Sequence, residues 1–169
     1  MIHLYFGDGK GKTTAACGLA LRASQSDMKV LFTQFFKNGK SGEVKVLSGI
    51  PLIEVKVPSL FYGRYKNMSD EQKNEIRNCY TLFFKDIISM SVDYDLIVLD
   101  EAVSAYNYGL IDRADLIAFL KTEREKREIV LTGRSPSQEL LDVADYITEM
   151  RKVKHPYDKG IQARKGIEF

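Results

Sequence analysis

The sequence is poor in the residues that mark special structural classes. Its two cysteines, Cys17 and Cys79, lie far apart and form no Cys-x-x-Cys pair. Zinc and redox sites commonly use that spacing, so neither is expected here, and because cysteine is strongly inclined to be buried both are expected to be reduced thiols in the core. The chain also has only four prolines, no tryptophan and no low-complexity linker. A disordered chain is therefore not expected.

Long apolar runs and a strong net charge are also absent. No apolar segment approaches the roughly 18 residues that a membrane span needs, and no basic leader precedes the first apolar segment, so a cytoplasmic protein without a membrane partner is expected. The formal net charge is +2, which gives no reason to expect a nucleic-acid partner. With 44% hydrophobic and 28% charged residues over 169 positions, the chain is predicted to form one globular domain, 1–169.

Short apolar segments alternate with helical patterns along the chain. This alternation predicts βαβ units, and hence an α/β fold with a mainly parallel sheet flanked by helices. Residues 152–169 are polar and lack periodicity, which predicts an irregular C-terminal tail. The predicted strands cover 2–6, 30–35, 52–57, 96–101, 129–132 and 146–150, and the predicted helices cover 12–25, 69–90, 112–126 and 138–143.

A glycine-rich segment joins the first predicted strand to the first predicted helix. Glycines allow successive backbone N–H groups to converge on phosphate oxygens, and the N-terminus of the helix adds partial positive charge. Lys12 supplies a point charge and Thr13 offers a hydroxyl to Mg²⁺, so the segment predicts a phosphate-binding loop. The leading glycine of the usual spacing is replaced by Phe6, which makes the loop a variant. The predicted ATP-binding residues of the loop are Gly7, Asp8, Gly9, Lys10, Gly11, Lys12, Thr13 and Thr14.

An acidic pair follows the most uniformly apolar segment. Asp100 and Glu101 come directly after Leu96-Ile97-Val98-Leu99, which is typical of a buried parallel strand. Parallel strands present their carboxyl ends to the ligand crevice, and Mg²⁺ with bound phosphates takes one or two carboxylates. The sequence therefore predicts a magnesium nucleotide site in which at least one of Asp100 and Glu101 is a ligand.

Five segments together carry a more particular resemblance. Besides the loop and Leu99-Asp100-Glu101, the chain contains Gln34-Phe35-Phe36-Lys37 with Gly42-Glu43, then Thr132-Gly133-Arg134, and a tail of distinctive sequence. In this order and spacing the chain resembles the P-loop type of ATP:cob(I)alamin (corrinoid) adenosyltransferase over nearly its whole length. The tail segments are Val153-Lys154-His155-Pro156-Tyr157-Asp158-Lys159-Gly160 and Gly166-Ile167-Glu168-Phe169.

The resemblance implies a fold, a reaction and partners. It implies a P-loop domain of the RecA-like class that transfers the 5′-deoxyadenosyl group of ATP to the cobalt of a reduced corrinoid and releases triphosphate. Adenosylcobalamin biosynthesis or salvage is the implied setting. Mg²⁺ is the implied cofactor, ATP and the corrinoid are the substrates, and the implied partners are a second copy of the chain and an electron-donor flavoprotein. Some relatives place an N-terminal extension over the partner's active site, whereas here the first strand begins at Ile2, so such a lid is not expected.

The resemblance also implies roles for individual residues. Lys12, Thr13 and Glu101 match the catalytic set, and Thr13 and Glu101 match the metal ligands. Arg22, Lys37 and Arg134 match ATP-binding positions, each with the alternative of a solvated surface cation. Asp8 stands where a neutral amide is common, and an extra carboxylate beside polyphosphate is unfavourable unless a cation offsets it.

The corrinoid side of the implied site is an aromatic segment after the third strand. The segment of relatives includes a tryptophan, and this chain offers Phe61-Tyr62-Gly63-Arg64-Tyr65 instead. Phe61, Tyr62 and Tyr65 are therefore the candidate corrinoid-binding residues, with local packing as the alternative. The same two alternatives hold for Tyr106 and Tyr108. His155 is interpreted as a structural or electrostatic member of the tail.

Two other functions fit the magnesium nucleotide site. One is a RecA-like Mg-dependent NTP hydrolase in which Glu101 activates water and Arg134 senses the phosphate. The other is a regulatory domain that binds nucleotide without turnover. The tail from Lys154 to Phe169 favours the transferase, because a hydrolase would not need it.

Overall fold

The computed structural model describes residues 1–167 and shows a six-stranded sheet between two layers of helices. Glu168 and Phe169, the end of the tail segment named above, lie outside the described residues. The strands are β1 (Ile2–Phe6), β2 (Val30–Gln34), β3 (Ile53–Lys56), β4 (Leu96–Asp100), β5 (Glu128–Gly133) and β6 (Tyr146–Glu149). The helices are α1 (Lys12–Ser24), α2 (Gly42–Leu47), α3 (Asp70–Met90), α4 (Ala102–Asn107), α5 (Arg113–Glu123) and α6 (Gln138–Val143).

The strand order is β3-β2-β4-β5-β1-β6 and every pair is parallel, so the predicted mainly parallel α/β sheet is confirmed. All carboxyl ends consequently lie along one edge of the sheet. Strand β5 lies between β1, which leads into the glycine-rich loop, and β4, which ends at Asp100. The loop and the acidic pair therefore share this edge with β5 between them.

Alternation along the strands divides the core into two layers. Leu31, Ile97 and Leu131 face the layer of α3, α4, α5 and α6, whereas Phe32 and Val98 face α1 and α2. In α1 the residues that pack on the sheet are small, including Ala16, Ala20 and Ala23, so this helix lies close to the strands. Close packing fixes the direction in which the start of α1 points.

Local sequence signals explain the helix boundaries. The predicted capping box of α3 is present: the Gln72 amide donates to the Ser69 hydroxyl at 3.2 Å, and the Ser69 amide donates to the Gln72 side chain at 3.0 Å. Asp112 caps α5 by accepting from the Asp115 amide at 2.9 Å. Helices α2 and α4 were not predicted, because six residues are too few to show a period.

The tail after β6 is mostly irregular but contains one short 3₁₀ turn, Pro156–Lys159. Among residues 1–167, no helix combines the length and apolarity needed to cross a membrane. Both cysteines are free, but Cys79 is only half-buried, so the expectation of two core thiols holds fully for Cys17 alone.

Candidate active site

Strained backbone marks the carboxyl edge of the sheet. Phe36, Glu101 and Ser135 have φ values of 53°, 60° and 52°, and each lies within two residues of the end of a strand. Residues other than glycine occupy this left-handed region at a cost of about 1 kcal/mol or more. Such conformations concentrate at sites where the chain must aim particular groups. Three separate strand exits on one edge therefore indicate a functional edge.

The glycine-rich loop leaves the N-terminus of α1 open to an anion. Gly7 and Gly11 have φ values of 114° and 113°, and Gly11 directly precedes α1. No side chain caps this helix, and no acidic residue lies in its first turn. The first amides of a helix have no intrahelical partner and carry the positive end of its dipole. The start of α1 thus has the geometry and charge that bind phosphate.

Lys12 places a cation inside the loop. The side chain is buried, with 8% exposure, and its ammonium donates to the carbonyl oxygens of Gly7 at 2.8 Å and Gly9 at 2.7 Å. Burial is the main cause that lowers the pKa of Lys12, and the neighbouring charge of Arg134 lowers it further. No carboxylate in the described chain forms an ion pair with this ammonium. An anion in the loop would therefore meet a cation whose direct hydrogen-bond partners are carbonyl oxygens, while Glu101, Asp8 and Asp100 act on it only without an ion pair.

Asp100 joins the loop to two neighbouring strands. Its Oδ1 accepts hydrogen bonds from the hydroxyl of Thr13 at 2.9 Å and of Thr132 at 2.6 Å, and its Oδ2 accepts from the Gln34 amide at 3.1 Å. The carboxylate is fully buried, and burial raises its pKa against the opposing effect of these donors. Asp100 is therefore a buried hub that fixes the start of α1 relative to β2 and β5.

Glu101 is oriented by the same network. Its backbone N–H donates to the Thr132 hydroxyl oxygen at 2.9 Å, and its Oε2 accepts from the Ser104 hydroxyl at 2.9 Å. The side chain lies at the edge of a cleft rather than in the core. Since the left-handed backbone at Glu101 turns the chain directly from β4 into α4, this carboxylate can face solvent while Asp100 faces inward.

The donor set fits magnesium only when phosphates complete it. Within residues 1–167 no three His, Cys, Asp or Glu side chains are grouped to hold a metal ion by themselves. Magnesium prefers oxygen ligands and usually takes one or two carboxylates together with substrate phosphates. The Thr13 hydroxyl and the Glu101 carboxylate match that requirement. Asp100 accepts a hydrogen bond from the Thr13 hydroxyl and so orients it.

Arg134 and Lys37 lie on the same edge as the loop, whereas Arg22 does not. The charge of Arg134 lowers the pKa values of Lys12 and Asp8, and Lys37, just after β2, acts electrostatically on Cys17 in α1. Arg22 is exposed in the last turn of α1, about 15 Å from Lys12 at a rise of about 1.5 Å per residue. The structure therefore does not bring Arg22 to the phosphate loop of its own chain.

The side chain of Asp8 is tied to the tail. Its Oδ1 accepts from the Lys152 backbone N–H at 2.9 Å, and this bond is the main cause that lowers the pKa of Asp8. The Gly9 amide donates to the Met150 carbonyl at 2.6 Å. A Cβ added at Gly7 or Gly9 would lie 2.5 Å from that carbonyl oxygen, so only glycine fits at either position. Lys10 and Thr14 are exposed.

An aromatic cleft of about 700 Å³ adjoins Glu101 and Arg134. The rings of Tyr65 and Tyr108 stack within it with their centroids 4.3 Å apart, and Phe61 also lines the cleft. Of the three aromatic candidates, the structure therefore brings Phe61 and Tyr65 to Glu101.

Tyr62, Tyr106 and His155, which the sequence analysis also considered, do not line the aromatic cleft. Tyr62 lines a separate groove, where its hydroxyl donates to Glu75 of α3 at 2.6 Å. Tyr106 is buried and its hydroxyl bonds to Glu139, which is a packing role. His155 accepts from the Tyr157 amide at 3.1 Å and caps the 3₁₀ turn of the tail.

Gln34, Thr132 and Asn107 have site contacts that sequence reasoning did not assign. Gln34 and Thr132 bind Asp100, and Asn107 donates to the Ser135 carbonyl at 3.0 Å, which holds the Arg134 loop. For the first two a signal was present: each is a polar residue near the carboxyl end of a mainly apolar strand.

Comparison with known proteins gives the family that the sequence resembles, and the match covers the entire length of this chain. The family model for ATP:corrinoid adenosyltransferase BtuR/CobO/CobP matches residues 1–169. A corrinoid adenosyltransferase of Sinorhizobium is 33% identical over all of this chain and 80% of its own length. Those of Pseudomonas aeruginosa and Escherichia coli K12 are 31% and 28% identical, also over all of this chain, with 83% and 85% of their own lengths covered.

Comparison of structures supports the fold alone. EssC (ATPases 2 and 3) from Geobacillus thermodenitrificans has a TM-score of 0.55 at 12% identity and covers 97% of this chain. The cytoplasmic domain of EssC has a TM-score of 0.54 at 14% identity. This chain spans 34% and 38% of those two chains.

Proposed function

Because the chain belongs to the ATP:corrinoid adenosyltransferase family, we propose that the carboxyl edge of its sheet is where the family's reaction takes place. The protein is a transferase that uses ATP to adenosylate corrinoids. The observation that carries the proposal is the position of the buried Lys12 ammonium inside a phosphate loop that lies on the same edge as Glu101 and the aromatic cleft.

The proposed step breaks a bond at the sugar. An electron pair on the reduced cobalt attacks C5′ of ATP, the cobalt–carbon bond forms, and the C5′–O bond breaks with its electron pair left on the triphosphate. No proton moves, so no general base is required. The Lys12 ammonium and the loop amides stabilise the charge that develops on the leaving group, which is preorganised electrostatic stabilisation. Gly7, Gly9 and Gly11 provide the loop shape, and Arg134 adds a second cation.

We propose Mg²⁺ as the cofactor, held by Thr13 and Glu101 with the substrate phosphates. When bound, the ion supplies positive charge to the phosphate oxygens. Asp100 holds the Thr13 hydroxyl in place and Ser104 holds the Glu101 carboxylate, so these neighbours determine where the ligand atoms lie.

The aromatic cleft is the proposed corrinoid side. Phe61 and Tyr108 are 42% and 37% exposed, so apolar ring surface is available for a large planar ligand. The cleft extends from these rings to Glu101 and Arg134, which supports the proposal that a corrinoid binds there next to the nucleotide. Tyr62 is assigned to packing with Glu75 instead.

Two remaining proposals, a homodimer and an electron-donor flavoprotein as partner, rest on the family resemblance. A cytoplasmic location without nucleic-acid or membrane partners is proposed from the sequence pattern, which has a small net charge and no long apolar run. Sedimentation at several protein concentrations tests the dimer directly.

Product analysis tests the reaction. The protein is incubated anaerobically with Mg-ATP, with and without strongly reduced corrinoid. Triphosphate and adenosylated corrinoid formed together support the transferase. Phosphate released without corrinoid would indicate the hydrolase, and binding of ATP without any product would indicate the regulatory domain.

The Lys12→Ala variant tests the loop. Loss of one preorganised charge-stabilising donor typically costs about 10²-fold or more in turnover, and that loss is expected here. Lys85→Ala, which removes an exposed lysine on the outer face of α3, is the matched control and is expected to keep normal turnover. Near-normal turnover of Lys12→Ala would remove the loop from the mechanism.

A further inference from the structure

A second cleft flanks the phosphate loop on the side opposite the aromatic cleft. It has a volume of about 480 Å³ and lies between the loop residues Gly9 and Lys10 and the tail. Its other cationic lining residues are Arg151, Lys152, Lys154 and Arg164, and among residues 1–167 no acidic residue lines it. We call this the cationic cleft.

The nearby acids are already engaged. Asp158 pairs with the Lys152 ammonium at 2.9 Å, and Asp8 accepts from the Lys152 amide at 2.9 Å. Neither carboxylate lines the cationic cleft. Because the balance of charge within the cleft is positive, its chemistry favours a polyanion.

The tail is fixed against the loop rather than merely near it. The Gly9 amide bonds to the Met150 carbonyl at 2.6 Å, and this contact allows only glycine at Gly7 and Gly9. Arg151 follows Met150 directly, and the Lys152 amide is bonded to Asp8 at 2.9 Å, so the start of the tail is held against the phosphate loop and Lys154 lies two residues beyond that second bond. The cleft is thus an extension of the phosphate site.

The two clefts lie on opposite sides of the loop in the order of the sheet. The aromatic cleft is formed by segments that follow β2, β3, β4 and β5, whereas the cationic cleft is formed by segments that follow β1 and β6 at the other end. In a direct displacement at carbon, the attacking atom and the leaving group lie on opposite sides of that carbon. A corrinoid in the aromatic cleft therefore directs the leaving group toward β1 and β6.

The leaving group also changes in charge during the reaction, and a cationic cleft binds the more negative species more tightly. Breaking the C5′–O bond leaves the electron pair on the triphosphate, which gains one negative charge and loses its tether to the sugar. Cations that contact the free triphosphate more closely than ATP stabilise the product side of the reaction.

We infer that the cationic cleft is a subsite for the released triphosphate, a role that rests on the proposed function. Arg151 and Lys154 are the residues that test it, since both are exposed cations of the cleft. The experiment titrates inorganic triphosphate with Mg²⁺ into the full chain by calorimetry. The test variant is Arg151→Ala/Lys154→Ala. The matched control is Arg77→Ala/Lys85→Ala, which removes the same two charges from the exposed face of α3.

The double variant in the cleft is expected to bind triphosphate about ten-fold more weakly, which corresponds to about 1.4 kcal/mol for two exposed contacts. The control should bind as the wild type does, and the KM for ATP should change by less than about three-fold in both. The ten-fold difference should shrink at high salt, since exposed charges are screened.

Four results would overturn the inference: unchanged triphosphate affinity, an equal loss in the control, an equal rise in the KM for ATP, or a rise only in the KM for the corrinoid. A wild-type protein that forms no adenosylated corrinoid would contradict the proposed function instead. The binding comparison needs no corrinoid, so the two failures are distinguishable.

Discussion

The hydroxyl of Thr132 is predicted to hold the site together, and two substitutions separate its polar role from its size. Thr132 is fully buried at the end of β5, where its hydroxyl donates to Asp100 and accepts from the Glu101 amide. Thr132→Val replaces the hydroxyl with a methyl group of similar volume. Thr132→Ser keeps the hydroxyl and removes one methyl group.

The expected losses of stability differ clearly. A hydrogen bond to a charged group contributes about 1.5–3 kcal/mol and a neutral one about 0.5–1.5 kcal/mol, so valine should cost about 2–4.5 kcal/mol. Serine should cost about 0.8 kcal/mol for the buried methyl group. At a urea m-value of about 2 kcal/mol/M, a loss of 3 kcal/mol lowers the unfolding midpoint by about 1.5 M.

Turnover should follow the same order. Without the Thr132 hydroxyl, Asp100 and Glu101 lose a shared anchor, so the valine variant should lose at least about ten-fold in kcat at saturating ATP, because small misplacements of reacting groups are costly. The serine variant should remain within about three-fold. Urea unfolding and initial-rate assays check both expectations. A valine variant that is as stable and as active as the serine variant would refute the hub described at Asp100.

Three further outcomes are expected. Asp8→Asn keeps an acceptor for the Lys152 amide and removes a charge beside the phosphates, so the KM for ATP should fall about two-fold, whereas Asp8→Ala should raise it. Steady-state kinetics that give the two variants the same lowered KM would show that the bond to the tail is unimportant. The bond from the Ile2 amide is the main cause that lowers the pKa of Asp145, so its stabilisation is present above the ordinary pKa and is lost as pH falls through the lower folded-state pKa; Asp145→Asn should therefore be less stable than wild type near pH 6, and the gap should close below about pH 4 in denaturant titrations. Burial raises the pKa of Cys17 to about 12, so alkylation of the native protein at pH 8, followed by mass spectrometry, should leave this thiol unmodified until the chain unfolds.

The elements predictable from sequence are those with a strong local signal. The strands β1, β2, β4 and β5 are short apolar runs, and α3 has a capping box and a long buried stripe, so each lies within two residues of its predicted bounds. Helices α2 and α4 depend on tertiary contacts instead. The start of α4 requires the left-handed backbone at Glu101, which no propensity of glutamate favours.

The residues of the site that are neighbours in the sequence could be predicted. Those that meet only because of the order of strands in the sheet could not. The loop residues are contiguous, so Lys12 and Thr13 could be chosen from spacing alone. The role of Thr132 depends on β5 lying between β1 and β4, and that order is not visible in the sequence. The sequence also did not show that Tyr62 and Phe61 line different clefts, because adjacent residues in a loop can face different directions.

The strand that leads into the phosphate loop is translated long before either of its sheet neighbours. β1 pairs only with β5 and β6, and the Met150 carbonyl that supports the loop comes directly after β6. A nascent chain therefore exposes Ile2 and Leu4 without sheet partners until Ile129 and Leu131 of β5 have been translated. Translation pausing before β5 would lengthen that exposure, whereas pausing after β6 would not, and the phosphate loop gains the support of the Met150 carbonyl only after β6 has been translated.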